Sequence, residues 1–209
     1  MPAVSVYTVY VYAVYSTLVS EPKKKILNVA TRRAREGADV SLRSIATELN
    51  VTPMSIYRHF SDKNALLETV VESGFALLHE YFSRPVSRNR RVLGIVAHFL
   101  DFALEEPRLY ELMFLRRRAN VRVFPRDFAA HRSPTFDVLR AAVADEMANG
   151  RMRRDNELET TLTIWSQGHG MISMYTLGRL GDDPAAFRRL YNGAMRRLYR
   201  GIALTGGTR

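Results

Sequence analysis

The sequence predicts an all-α protein, and three observations carry that prediction. From Glu21 onward, apolar residues recur at spacings of three and four, the period of a helix that buries one face. Segment starts are marked by cap-plus-proline pairs (Thr52-Pro53, Ser133-Pro134, Asp183-Pro184) and segment ends by Gly37 and Gly150. Beyond residue 20, the alternation that a half-buried strand needs is scarce, and no repeat of solenoid length is found.

Taken in order, about nine helices are expected. Pro22 with Lys23, Lys24 and Lys25 opens the first, Ile26, Val29, Ala30 and Ala34 form its apolar face, and Gly37 ends it. Ser41 caps a second helix with Leu42, Ile45, Ala46 and Leu49 on one side, and Asn50 suits a left-handed position behind it. Thr52-Pro53 starts a third, Met54 to Phe60, with Ile56 and Phe60 inward. Ser61-Asp62 caps a longer fourth, whose buried stripe is Leu67, Val70, Val71, Gly74, Phe75 and Leu78. Arg88 to Glu106 carries Val92, Ile95, Val96, Phe99 and Ala103 inward, and Glu106-Pro107 breaks it before Leu109 to Arg118. The last three start at Ser133-Pro134, at Asp155 or Asn156, and at Asp183-Pro184.

Composition narrows the class further. The chain has 209 residues and no cysteine, with 31 Lys plus Arg against 21 Asp plus Glu, a formal net charge of +10. Disulfide frameworks, thiolate zinc sites and thiol nucleophiles are excluded, and a cytoplasmic protein is the default. A hydrophobic fraction of 46% with 25% charged residues argues for a folded domain rather than disorder. The basic surplus points to polyanionic partners, nucleic acid or anionic membrane. Residues 1–20 stand apart as an uncharged run rich in Val and Tyr. They are too short and polar for a membrane span and lack the marks of a secretory signal. Two readings stand, a β-prone tail or a translation start near Leu18 or Val19.

Ser41 to Phe60 has the form of a helix-turn-helix, two short helices around a tight turn, the second carrying Thr52, Ser55, Tyr57, Arg58 and His59 outward. Short hydroxyl and basic side chains on such a helix suit the bases and phosphates of a major groove, and Lys63 sits where it can neutralise a phosphate. A helical hairpin with an incidental polar face would carry the same spacing. Arg58 is the best base reader, because a guanidinium forks onto guanine O6 and N7.

The stretch from Leu42 to Leu67 resembles the DNA-binding domain of the tetracycline-repressor (TetR) family. It contains Ile45-Ala46 with Leu49 and Val51, then Ile56-Tyr57-Arg58-His59-Phe60, then Lys63 with Leu66. The resemblance implies that Tyr57, His59 and Lys63 contact phosphate and that Thr52, Pro53, Met54, Ser55 and Arg58 face or border the bases. Ser41, Leu42 and Arg43 complete the candidate set, with Lys23 and Lys24 lent to the backbone by the first helix. Each has a plainer reading: Tyr57 as a cap on a small core, His59 as a surface histidine, the lysine run as a solvated helix start.

Trp165-Ser166-Gln167-Gly168-His169-Gly170 is similar to the Trp-x-x-x-His-Gly (WHG) signature of one class of C-terminal domain in that family, and Glu106 to Phe114 resembles its helix break. The resemblance implies a homodimer on a pseudo-palindromic double-stranded operator, released by an apolar or aromatic small-molecule effector. The expected organisation is a tail (1–20), a helix-turn-helix domain (21–66) and a helical ligand-sensing and dimerisation domain (67–209). Candidate pocket residues are His98, Phe102, Met113, Phe114, Phe128, Phe136, Trp165 and His169, since aromatic and Met side chains make adaptable apolar walls. The competing reading is that these are core, with Trp165 and His169 a structural pair one turn apart. Arg116-Arg117-Arg118 suits an anionic effector or a solvated helix end. The last helix carries a stripe (Phe187, Leu190, Tyr191, Ala194, Met195, Leu198, Tyr199, Ile202) wider than one neighbour requires, so these residues, with Met171 and Tyr175, are the candidate dimer interface.

Other classes find little in the sequence. There is no Gly-rich phosphate loop, Ser166 lacks the glycine of a nucleophile elbow, and no histidine pair has helical zinc spacing. No cofactor, metal or catalytic residue is expected. A helical enzyme using His169 and a basic membrane-surface protein are the alternatives, although the basic residues do not gather on one amphipathic face.

Overall fold

The computed structural model describes residues 20–203, so the expectations for residues 1–19 lie outside the described residues. The described residues hold ten α-helices and no strand: α1 (Glu21–Arg35), α2 (Leu42–Glu48), α3 (Pro53–Tyr57), α4 (Lys63–Ser83), α5 (Arg91–Glu105), α6 (Pro107–Tyr110), α7 (Arg126–Ala129), α8 (Pro134–Ala148), α9 (Glu157–Thr176) and α10 (Pro184–Ile202). No helix among them is long and apolar enough to cross a membrane. Two compact units divide the chain. The first runs to Leu77 and also takes Glu106–Arg116; the second is Leu78–Glu105 with the chain from Arg117 onward.

The first unit is built on α1, whose Ile26, Ala30 and Ala34 are buried. Gly37, at φ +70°, lets the chain leave α1, with the Ala38 amide donating to the Arg33 carbonyl at 2.9 Å. α2 is fixed at its start by a reciprocal cap: the Ser44 amide donates to Ser41 Oγ (3.1 Å) while the Ser41 amide donates to Ser44 Oγ (3.2 Å). Its Leu42, Ile45 and Ala46 join Ile56, Phe60 and Leu66 in the core. The buried member of the pair at the start of α4 is therefore Leu66, while Leu67 is only half-buried. Emptying the Ile45 site to alanine is worth about 2–5 kcal/mol.

α6 belongs to this unit and packs on α1. Arg35 forms an ion pair with the buried carboxylate of Glu106, at 2.6 Å from Nε. Gly74 permits the close approach, because a Cβ there would lie 2.5 Å from Met113 Sδ and 3.1 Å from Leu109. The expected helix from Leu109 to Arg118 is shorter than its sequence pattern. α6 passes into a π-helical turn, Glu111–Leu115, and the backbone is extended at Arg116, so the arginine triplet follows the helix instead of ending it.

In the second unit, Arg88–Arg90 forms a 3-10 turn before α5, which buries Val92, Ile95, Val96, Phe99 and Ala103 as the spacing predicts, with Leu100 and Phe102 in addition. α8, α9 and α10 surround α5. Asn156 Oδ1 caps α9 by accepting from the Leu158 (3.0 Å) and Glu159 (3.3 Å) amides, and Asp183 Oδ1 caps α10 through the Ala185 amide (2.8 Å). A close approach at Gly168 admits the buried Tyr191 ring, whose hydroxyl donates to the Val96 carbonyl at 2.9 Å. α7 is the helix the sequence pattern misses. Buried Asp127 holds it, accepting the Val123 amide (2.8 Å) and contacting the guanidinium groups of Arg126 (2.9 Å) and Arg132 (3.2 Å). Such a one-turn helix depends on its carboxylate anchor and not on apolar periodicity.

Candidate nucleic-acid interface

The turn between α2 and α3 has the geometry of a reading head. Asn50 stands at φ +52°, and the Val51 amide returns to the Ala46 carbonyl at 3.0 Å, which closes α2 and redirects the chain. Thr52 is the N-cap of α3 by position, but its hydroxyl pairs with Ser55 Oγ at 3.0 Å and makes no backbone cap bond. Ile56 and Phe60 face inward and anchor the short helix. Its outer side is exposed at Thr52, Pro53, Met54, Tyr57 and Arg58 and half-buried at Ser55 and His59.

Met54 is 66% and Tyr57 49% exposed, and Val51 is exposed beside them. Large apolar side chains left in water next to hydroxyl and guanidinium groups are what a groove-facing helix presents, since thymine offers a methyl and guanine two acceptors. Val51 is the member that sequence reasoning missed. Within the family motif it stands beside Leu49 with no sign of an outward role, and only its exposure distinguishes it from a core valine.

Around this helix the cations are held in place. Lys63 Nζ lies 3.3 Å from Asp39 Oδ1, and hydrogen bonding from Ser41, with the Lys63 charge, keeps the Asp39 carboxyl below the usual carboxylate range. Lys23 Nζ stands 5.3 Å above the Phe60 ring, and Lys24 pairs with Glu21 at 3.0 Å. Arg43 and Arg58 are exposed. Leu42 is buried, so of its groups only the backbone amide at the start of α2 suits a phosphate. Glu48 braces α2 to α1 through Arg33 (2.9 Å) and Arg32, and these two guanidinium groups lower its pKa, Arg33 first. Partners so far apart in sequence leave no local signal, and none of the three was predicted.

The predicted pocket residues are divided between the units. Met113 and Phe114 belong to the first, where Phe114 meets Phe75 edge-on at 5.5 Å and Tyr110 at 5.1 Å. In the second, Trp165 stacks on Phe99 at 4.8 Å, His169 lies parallel to Trp165 at 6.4 Å, and Phe136 meets Phe128 at 4.8 Å and Trp165 at 6.3 Å. Phe102 is fully buried against Tyr81, and burial lowers the pKa of both His98 and His169. No group of three or more His, Asp or Glu side chains among the described residues is placed to hold a metal.

The predicted dimer stripe is largely used inside its own chain. Met171, Phe187, Tyr191 and Met195 are buried in the single chain, Tyr175 stacks on Phe187 at 4.1 Å, and Tyr199 donates to the buried carboxylate of Glu146. Ala194, Leu198 and Ile202 are half-buried, and Leu190 is 44% exposed. α10 packs on both α5 and α9, so two neighbours within the chain account for the stripe's width.

Two short helices around a tight turn in one unit, with a second all-helical unit in the same chain, give the architecture of a helix-turn-helix DNA-binding protein. Residues 26–70 match the profile of bacterial regulatory proteins of the tetR family, and residues 92–198 match the tetracyclin repressor-like C-terminal domain. The chain belongs to the TetR family. It is 28% identical over 99 residues to the uncharacterized HTH-type transcriptional regulator YobS of Bacillus subtilis (strain 168), a match spanning 45% of this chain and about half (52%) of that relative. Its fold is shared with a protein of unknown function from Rhodococcus sp. RHA1 (TM-score 0.70, 23% identity, 88% of this chain and 97% of that one). It is shared also with a TetR-family transcriptional regulator from Pectobacterium atrosepticum (TM-score 0.66, 18% identity, 88% and 95%).

Proposed function

We propose that the protein is a cytoplasmic, ligand-responsive repressor that binds a pseudo-palindromic operator as a homodimer and is released by an apolar or aromatic small molecule. The observation carrying this reading is the outward face of α3, where Met54, Tyr57 and Arg58 are exposed beside Lys63. On this reading α3 enters the major groove, Arg58 reads guanine, Met54 borders the bases, and Tyr57, His59 and Lys63 hold phosphates. No catalytic step is assigned to His169.

The dimer face proposed here is the side of α9 and α10 that the core leaves outward. Met174, Leu177 and Leu190 are exposed there, in helical register with Gly170 on α9 and Gly193 on α10. No Cβ contact within 4 Å would obstruct Gly170. Two such helices from each copy would form a four-helix bundle, and an operator read in successive major grooves asks for its two copies of α3 roughly 34 Å apart, one turn of DNA. The effector would enter among Phe128, Phe136, Trp165 and His169, with His98 and Phe102 flanking Phe99, the ring that stacks on Trp165. It would act by binding one conformation better than the DNA-bound one.

Selection of bound fragments from random duplexes tests the reading. An enriched palindrome with half-sites one or more helical turns apart is expected. Recovery without any palindrome would overturn it, and equal sedimentation with anionic vesicles at the same salt would favour a membrane-surface protein instead.

A further inference from the structure

α10 presents three different faces. Phe187, Tyr191 and Met195 point into the core, while Leu190 and Gly193 lie on the side assigned above to pairing. At about 100° per residue, a third face carrying Arg189, Asn192 and Arg196 is centred roughly 100° from the middle of the Leu190–Gly193 side. It borders a groove of about 790 Å³ whose opposite wall is Leu104 and Glu105 at the end of α5. The groove lies wholly within the second unit.

Its charge is unbalanced. Three arginines line it against one carboxylate, Glu105, which already accepts the Tyr81 hydroxyl. Arg188 is paired with Asp101. Arg189 and Arg196 are exposed and have no ion-pair partner among the described residues; Arg196 lends only its carbonyl, to Arg200 at 3.4 Å. Being seven positions apart, they stand about 10 Å from each other along the axis. Asn192 adds an amide between them, and Leu104, Pro184 and Ala185 supply apolar surface. The groove is open toward solvent, so an occupant would lie along its floor.

We infer that this groove is a binding site for an elongated organic anion, its acid groups on Arg189 and Arg196 and its carbon chain running between them past Asn192, against Leu104 of the facing wall. Guanidinium forks suit carboxylate and phosphate alike. The site is separate from the aromatic set around Trp165 and does not rest on the DNA reading.

Isothermal titration of the full chain with suberate, hexyl phosphate, hexanoate and inorganic phosphate, at matched ionic strength, tests it. Suberate or hexyl phosphate should bind at least tenfold more tightly than inorganic phosphate. Arg189→Gln/Arg196→Gln should lose at least tenfold of that affinity, whereas Arg197→Gln/Arg200→Gln, outside the groove, should keep it. Absence of binding by all four probes, or equal binding by both double variants, would overturn the inference. So would a double variant that changes only the salt dependence of binding to a random duplex, since the groove would then serve DNA phosphates.

Discussion

In the first unit, Val51, Met54 and Tyr57 stand outside the core that Ile45, Ile56 and Phe60 close, whereas in the second Phe99, Phe102 and Phe136 are buried and Trp165 stacks on Phe99. Most of the shifted titratable groups divide the same way, with Asp127 of the second unit, held low by Arg126, as the exception. Asp39, Glu48 and Asp62 on the first unit are exposed, and hydrogen-bond donors hold each below the ordinary carboxylate range. In the second, burial lowers the pKa of His79, His98 and His169 and raises that of Tyr199 to about 12. A surface prepared for a charged partner and an interior that favours neutral forms respond to different solution variables: salt for the first, moderate acid for the second.

The largest effect that would break this contrast is on stability. Phe99→Ala removes the ring on which Trp165 stacks and should cost about 3–5 kcal/mol in urea unfolding. A cost below about 1 kcal/mol would mean that the aromatic set is loosely packed. Next, Arg58→Ala should cost about 1–3 kcal/mol on a selected operator but little on random duplex. Equal losses on both would demote Arg58 to a phosphate contact.

The pH dependence sharpens the contrast further. The half-buried imidazoles have folded pKa values below their ordinary 6.5, so the unfolded chain binds more protons in that window. Stability of the second unit should be full above about pH 6.5 and decline as pH falls toward the folded values, read by fluorescence of the single tryptophan. The exposed carboxylates of the first unit act in a lower window: their contribution holds above pH 4 and is lost as pH drops through their depressed values. Amide exchange across residues 26–66 should therefore change later in an acid titration than Trp165 fluorescence. The smallest expected effect is Lys63→Ala, which should reduce the salt slope of DNA binding by about one unit. An unchanged slope would leave Lys63 with Asp39 alone.

How much of this was legible in the sequence depends on the range of the interaction. Caps and left-handed turns are local, so Ser41, Asn50, Asn156 and Asp183 stand where their types predict. Apolar spacing likewise placed Val92, Ile95, Val96 and Phe99 inward. Periodicity cannot say which neighbour covers a stripe, and for that reason Phe187, Tyr191 and Met195 read as an interface although their own chain buries them. Nor can it see the anchoring of α7 by Asp127 or the brace from Glu48 to Arg32 and Arg33. The family motif supplied the outward residues of α3, while the exposure of Val51 needed coordinates.

The return of Glu106–Arg116 to the first unit has a practical consequence for anyone exchanging modules between such proteins. A fragment cut at Leu77 would strip Arg35 of its carboxylate partner and leave Gly74 without Leu109 and Met113 above it. The reading head is thus not a contiguous cassette. A chimera that preserves its packing has to carry a second, distant strip of sequence, and the graft is better planned as two coordinated insertions than as one N-terminal swap.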